Sequence, residues 1–122
     1  MALEKSLVEI SFPANADLRS YQFRAVKSVT GGKVALADGT TVPLVGILGN
    51  KPRQAGDGAA VGISGVCQME AGATVAVGDW ITSNAAGQGI PTTTQGNSVV
   101  GRAVSAAGSA QYFDLQIDLG TL

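Results

Sequence analysis

Glycine constrains this chain more than any other residue type. Seventeen glycines are spread over 122 residues, and the runs between them are short and rich in β-branched side chains. Glycine favours turns and bulges over helix interiors, whereas β-branched residues favour strands. No segment keeps a 3.6-residue period, and strand-like runs recur about every 8–12 residues. The pattern therefore predicts an all-β domain, either a small barrel or a sandwich.

The two ends of the chain carry clear strand signals. Val8, Ile10 and Phe12 alternate with polar residues, and Tyr112–Leu119 has the cleanest period of two in the sequence. The stretch 1–13 ends at a proline, so it is either a strand of the domain or an arm that adds a strand to a neighbouring sheet. We expect residues 14–122 to form a single β-rich domain.

Two segments predict irregular structure. Asn15 or Asp17 could cap a single helical turn within residues 14–22, which is the best candidate for a helix, and we expect at most one short helix in the chain. Pro43 interrupts the apolar run 41–48, and since proline cannot donate a ladder hydrogen bond, this run is predicted to be an edge or irregular strand.

The residues that usually carry out catalysis are scarce. The chain has no histidine, and Cys67 is its only cysteine. An internal disulfide is therefore excluded, and a catalytic thiolate would lack its usual cationic activator. Asp114 and Asp118 share a strand face but would lie about 13 Å apart, too far for a hydrolytic pair, which spans about 5–9.5 Å. We predict a protein without enzymatic activity, cofactor, metal or small-molecule substrate.

Charge and hydropathy narrow the choice of partners. The formal net charge is −1 and charged residues are scattered, whereas nucleic-acid binding requires a concentrated basic surface. No apolar run reaches the roughly 20 residues of a membrane span. Glu4 and Glu9 interrupt the N-terminal apolar stretch, which argues against a signal peptide. The expectation is therefore synthesis in the cytoplasm, with neither nucleic acid nor membrane as partner.

An internal similarity is visible between two parts of the chain. The segments "VALADG…PLVGILGNKPRQAGDGAAVGISGV" and "WITSNAAGQ…SVVGRAVSAAGSAQYFDLQI" both read as strand, glycine turn, strand with "VG", loop and long strand. Gly46 and Gly101 would correspond. The similarity indicates either a duplicated β unit or two hairpins that use the same turn chemistry.

The order of several motifs resembles a known family. These are "ANADLRSYQFRAVK", "GKVALADG", "PLVGILGNKPRQAGDGAAVGISGV", "AGATVAVGDWITSNAAGQG" and "VVGRAVSAAGSAQYFDLQI". In this order they resemble the capsid cement, or head decoration, proteins of tailed bacteriophages, over about Ala14 to Ile117. Arg19 stands where serine is usual in the family, and "GRAV" replaces "GxAL". Single motifs are weak signals, whereas the complete order is fairly specific.

The resemblance implies a β-tulip- or β-clip-like domain, often a homotrimer, on the outer surface of the virion capsid, made in the host cytoplasm. Such a protein binds the major capsid protein of the expanded head and stabilises contacts between its subunits. For the contact surface we expect the arm residues and the single tryptophan. They are Leu3, Leu7, Ile10, Phe12 and Trp80. For Trp80 the leading interpretation is a place in the core, because a lone tryptophan is usually well buried, and the contact surface is the competitor.

Two other functions remain open from the sequence. Another phage structural part, such as a head-fibre base or a tail adaptor, would use the same kind of small β domain. An enzyme or ligand-binding barrel would require a pocket with converging polar groups, and this composition disfavours one.

Overall fold

The computed structural model describes residues 7–122, and within that range the regular structure consists of nine β-strands and no helix. The all-β prediction is therefore confirmed. The strands are β1 (Val8–Pro13), β2 (Ala25–Val29), β3 (Lys33–Leu36), β4 (Leu44–Leu48), β5 (Gly58–Glu70), β6 (Trp80–Ser83), β7 (Gly89–Pro91), β8 (Ser98–Ala103) and β9 (Tyr112–Thr121).

All nine strands belong to one antiparallel sheet that curls into a half-barrel. The strand order is β3-β2-β4-β5-β9-β8-β6-β7, and β1 pairs with the first half of β5 outside this path. The second half of β5 pairs with β9. One long strand thus connects the two halves of the sheet, because each half of β5 has its own partner.

The candidate helical turn within residues 14–22 is absent, which agrees with the expectation of at most one short helix. Several backbone groups there bond to distant segments, and the Tyr21 N–H closes a local turn by donating to the Leu18 carbonyl at 3.0 Å. The Asn15 N–H donates to the Val34 carbonyl at 2.8 Å, and the Leu18 N–H donates to the Pro52 carbonyl at 2.9 Å. Ala14 and Leu18 are buried. Tertiary bonds and burial fix this segment as a series of turns, so no helix follows although the Asp17 carboxylate accepts from the Arg19 N–H at 3.1 Å as a cap would.

Of the two alternatives predicted for the segment with Pro43, the irregular strand is the one observed, and the edge position is not. β4 lies between β2 and β5, inside the sheet. Pro43 does not interrupt the hydrogen-bond ladder, because the strand begins one residue later, at Leu44. The irregularity that the sequence predicts is present as a register shift opposite Val26/Lys27, next to Gly46.

The strand order reads as the same pattern twice. In what we name the first unit (residues 8–64), β2 pairs with β3 and β4, β4 pairs with β5, and β5 pairs with β1. In the second unit (residues 65–121), β6 pairs with β7 and β8, β8 pairs with β9, and β9 pairs with the second half of β5. β5 therefore ends one unit and begins the other.

Hydrogen bonds outside the strands repeat as well. The Ala14 N–H donates to the Asp57 carbonyl at 2.8 Å, and the Ala71 N–H donates to the Gln111 carbonyl at the same distance. Matching bonds at matching turns show that the two units share backbone geometry and not only strand order. The internal similarity seen in the sequence is therefore a structural repeat.

Gly46 and Gly101 occupy equivalent places, as predicted. A Cβ atom at Gly46 would collide with the Gly62 carbonyl oxygen, and one at Gly101 would collide with the Gln116 carbonyl oxygen. The strand alignment proposed from the sequence needs one correction. "WITS" in β6 corresponds to "AVKS" in β2, because Ile81 faces Gly101 as Val26 faces Gly46.

The buried apolar side chains form two clusters, and only one of them is confined to a single unit. One cluster is built from the first unit alone and includes Leu18, Val26 and Val61. The other combines the second unit's own core with side chains from the first unit, such as Ala25 and Ile47. The two units are thus joined by a shared apolar core as well as by β5.

Candidate interaction surfaces

β1 presents the apolar surface predicted for the arm. Val8 is 51% exposed and Ile10 is 44% exposed, although Ile10 pairs with the fully buried Val61. Phe12 differs, since it is half-buried and packs against the first unit's core. Leu3 lies outside the described residues. The arm therefore offers its exposed apolar side chains near its beginning, and its end is anchored in the core.

The opposite face of β1 closes a cavity of about 270 Å³, in which Leu7 and Glu9 lie with Phe23 and Cys67. Burial raises the pKa of the Cys67 thiol to about 12, and the charges of Asp114 and Glu9 act in the same direction. The thiol is therefore protonated at neutral pH, and a protonated thiol is a poor nucleophile and metal ligand.

The second unit docks onto the first through a charged and a backbone contact. The Arg24 guanidinium lies 3.0 Å from the Glu70 carboxylate, with the two side chains only 19% and 15% exposed. Arg24 also donates to the Ala86 carbonyl at 3.1 Å, and the Ala25 N–H donates to the Gly87 carbonyl at 2.8 Å. The turn between β6 and β7 is thus held on the face formed by the start of β2.

The Gly87 turn fits closely on this face. A Cβ atom at Gly87 would collide with Leu36 Cδ1 and would lie 3.1 Å from the Ala25 carbonyl oxygen. Gln88, next in the chain, donates to the same Glu70 oxygen that Arg24 contacts. The contact between the units therefore combines steric fit, an ion pair and backbone hydrogen bonds.

Trp80 lies on a groove of the second unit. The groove has a volume of about 250 Å³ and is lined by Gly78, Asp79, Trp80, Pro91, Thr92 and Thr93. The Arg102 guanidinium sits 4.8 Å from the centre of the Trp80 ring, a cation–π distance. Trp80 is half-buried, whereas the next residue, Ile81, is fully buried. The structure places Trp80 on β6 and the arm beside β5, so it does not bring these predicted site residues together.

The described part of the chain shows no cluster of three or more potential metal ligands. Nor does it contain a helix long and apolar enough to cross a bilayer. Two polar side chains of the Trp80 groove hold turns: the Asp79 carboxylate accepts from the Ala76 N–H at 2.9 Å, and the Thr92 hydroxyl accepts from the Thr94 N–H at 3.2 Å.

Sequence reasoning missed the contact between the units and the groove. Arg24 and Glu70 are 46 positions apart, and nothing local to either residue indicates the other. The internal similarity was the available signal. Aligned correctly, it shows that Arg24 and Ala25 correspond to Asp79 and Trp80, and that a docking surface in one unit has an equivalent in the other.

Comparison with known proteins gave a family match and a structural match. The phage cement protein family matches residues 8–117. The solved structure of the head fibre gp8.5 N base of bacteriophage phi29 has a TM-score of 0.70 to this chain, with 24% sequence identity over 96% of this chain and 98% of that one. No curated protein matches the sequence. At this identity the head fibre base shows a common fold, while the family match covers nearly the whole sequence. The chain belongs to the phage cement protein family.

Proposed function

We propose that this protein is a capsid cement that binds the outer surface of the expanded phage head and stabilises contacts between major capsid protein subunits. The observation that carries the proposal is the family match over residues 8–117. A structural role in the phage head follows from that family. The outer surface, the expanded state and a homotrimeric form are the further content of the proposal.

The mechanism is thermodynamic linkage. A protein that binds only the expanded shell stabilises that shell by its binding free energy, about 2.7 kcal/mol per site at a free concentration of 100 Kd. Many equivalent sites act together on one shell, so each contact can be modest. Such a role requires a folded body and a complementary surface, and no reacting group.

The start of β1 is the surface that we assign to the coat contact. Val8 and Ile10 are both exposed and lie on one face of β1, where together they form an apolar strip, whereas Leu7 lies at the cavity on the other side. Exposed apolar groups that lie together mark interaction sites more often than scattered ones do. Phe12 supports this strip from the core side and is not assigned to the contact itself.

Co-sedimentation with undecorated heads tests the proposal. Purified protein is mixed with procapsids and with expanded heads of its phage, and pelleting is measured against concentration. Saturable binding to expanded heads alone is expected. Equal binding to both forms would remove the preference for the expanded state, and no binding to either would overturn the cement function.

Variants test the assigned surface. The double variant Val8→Ser with Ile10→Ser is expected to weaken head binding at least tenfold without loss of folding, since both side chains are already exposed. Val77→Ser with Val104→Ser is the matched control, because these valines are 67% and 46% exposed on the second unit. Equal losses in both double variants, or a loss of self-association with head binding intact, would contradict the assignment.

A second function is favoured by one observation. The head fibre base covers 96% of this chain in a single alignment, so the same fold can serve as the base of a longer fibre. In that case the protein would occupy few positions on the head. Saturation of the pelleting assay at a low copy number per head would favour a fibre base, whereas binding across the lattice would favour cement.

A further inference from the structure

The groove at Trp80 is equivalent to a docking site that is already occupied elsewhere in the molecule. The six residues that line it correspond, through the strand registers, to Phe23, Arg24, Ala25, Leu36, Ala37 and Asp38 of the first unit. One hydrogen bond confirms the match: Thr92 N–H donates to the Trp80 carbonyl at 2.9 Å, as Ala37 N–H donates to the Ala25 carbonyl at 3.0 Å.

In the first unit this site holds the turn between β6 and β7 of the second unit. The Gly87 carbonyl accepts from Ala25, and the Ala86 carbonyl accepts from Arg24. The equivalent turn of the first unit, Thr30–Gly31–Gly32 between β2 and β3, is exposed. A Cβ atom at Gly31 or Gly32 would meet nothing within 4 Å. Within residues 7–122, each chain therefore has an open groove and an open turn at places equivalent to the docked pair.

The charges at the open pair are also complementary. In the occupied site, the guanidinium of Arg24 on the groove side and the amide of Gln88 beside the turn both contact the Glu70 carboxylate. The corresponding positions in the open pair are Asp79 on the groove side and Lys33 beside the turn. In the open pair, the Asp79 carboxylate would face the Lys33 ammonium group.

We propose that the Trp80 groove of one copy binds the Thr30–Lys33 turn of a second copy, so that contact between chains repeats the contact between units. The occupant is a second copy because its turn lies at the place equivalent to the turn already docked in the first unit, with five residues between the paired Ser28 and Val34 as between the paired Ser83 and Gly89. The contact is head-to-tail, and such a contact closes into a ring or grows into a filament. A closed ring of three chains would present six similar units around its axis. The inference deepens the proposed homotrimer and rests on it.

Trp80 provides a direct readout, because it is the only tryptophan in the chain. Dilution of the assembled protein is expected to shift Trp80 emission to longer wavelength in parallel with the fall in mass measured by light scattering. Assembly and disassembly with unchanged emission would overturn the proposal, since the groove would then stay open in the oligomer.

Charge variants test the specific pair. Lys33→Glu is expected to weaken assembly at least tenfold, and Asp79→Lys likewise. The double variant Lys33→Glu with Asp79→Lys is expected to recover most of the affinity. Lys51→Glu is the control, since Lys51 is an exposed lysine outside both the groove and the turn. Asp79→Asn removes the charge but keeps a side-chain oxygen that can accept from the Ala76 N–H. It therefore distinguishes the effect of the lost charge from the effect of a damaged turn. Absence of recovery in a folded double variant would overturn the pairing.

Carbodiimide cross-linking gives independent evidence. In a mixture of ¹⁴N- and ¹⁵N-labelled chains, an amide between Lys33 and Asp79 is expected in mixed-label peptides. A Lys33–Asp79 peptide found only with a single label would place the contact within one chain and would contradict the proposal. Head pelleting is measured separately on the same variants. Rings that form through the groove but do not pellet would leave this inference intact and remove the cement function.

Discussion

The two units of this protein share a backbone pattern but carry different surfaces. In the first unit the face formed by Arg24 and Ala25 is covered by the second unit, whereas the equivalent face at Asp79 and Trp80 is open. The backbone fold of the two faces is the same, and they differ in whether another segment of the chain covers them. An exposed tryptophan groove in a repeat is thus best understood by asking what covers its counterpart.

The strongest test of the repeat concerns the two equivalent glycines. Gly46→Ala and Gly101→Ala are each expected to destabilise the fold by at least about 3 kcal/mol, because the new methyl group would collide with a backbone carbonyl of the adjacent strand. Urea unfolding at fixed protein concentration measures the free energy of unfolding. The two losses should be similar, since the two sites have the same geometry.

Gly31→Ala is the control for that test. Gly31 has φ +87° but open space around it, so alanine there should cost only the left-handed strain of about 1–2 kcal/mol. If Gly46→Ala or Gly101→Ala cost no more than this control, the close approach of the strands at the two register shifts would not be what requires glycine.

The sequence predicted the fold class because glycine turns and alternating strands are local signals. Tyr112–Leu119 illustrates this: Phe113, Leu115 and Ile117 are buried as the alternation requires, while Leu119 is exposed. The interior place of β4 was not predictable from Pro43, since strand order depends on pairings between distant segments. The ion pair of Arg24 and Glu70 was missed for the same reason.

For the interaction surfaces the sequence predicted residues but not their grouping. Ile10 and Trp80 are on the surface in part, and Phe12 supports the core. That Trp80 lines a groove became visible only from the register of β6 with β7 and β8. The equivalence of this groove to the docking site depends on how the two units are aligned. The sequence similarity aligned β6 with β3, whereas the strand registers align β6 with β2.

The contact between the units should be the next most sensitive feature. Arg24→Met keeps much of the aliphatic stem but leaves the mostly buried Glu70 carboxylate without its cation, and it removes the bond to the Ala86 carbonyl. Loss of one partner of such a pair is expected to destabilise by about 3 kcal/mol. Urea unfolding should show a lower midpoint.

Arg19→Met is the matched control, because Arg19 pairs with Asp17 at 3.2 Å but both side chains are well exposed. An exposed ion pair contributes at most about 1 kcal/mol, so this variant should unfold close to the parent. Equal effects of the two substitutions would show that the Arg24 pair does not hold the units together.

The smallest predicted effect concerns two residues that stand where the other unit has glycine. Ala110 has φ +67° and corresponds to Gly56, since the N–H of each donates at 2.8 Å to the equivalent carbonyl, that of Ala71 or Ala14. Ala110 is exposed. Ala110→Gly should relieve about 1–2 kcal/mol of left-handed strain and add about 0.5–1 kcal/mol of chain entropy cost, for a net stabilisation of about 0.5 kcal/mol.

Phe23 is the informative contrast to Ala110. It has φ +67° and corresponds to Gly78, but its ring contacts Tyr112 edge to face at a centroid distance of 5.5 Å. Phe23→Gly should therefore destabilise, because the lost ring contact and burial outweigh the relieved strain. Thermal unfolding of both variants decides the point: opposite signs are expected. Stabilisation of both would mean that the Phe23 ring adds nothing to the contact between the units, whereas destabilisation of both would mean that the left-handed turn at Ala110 is unstrained.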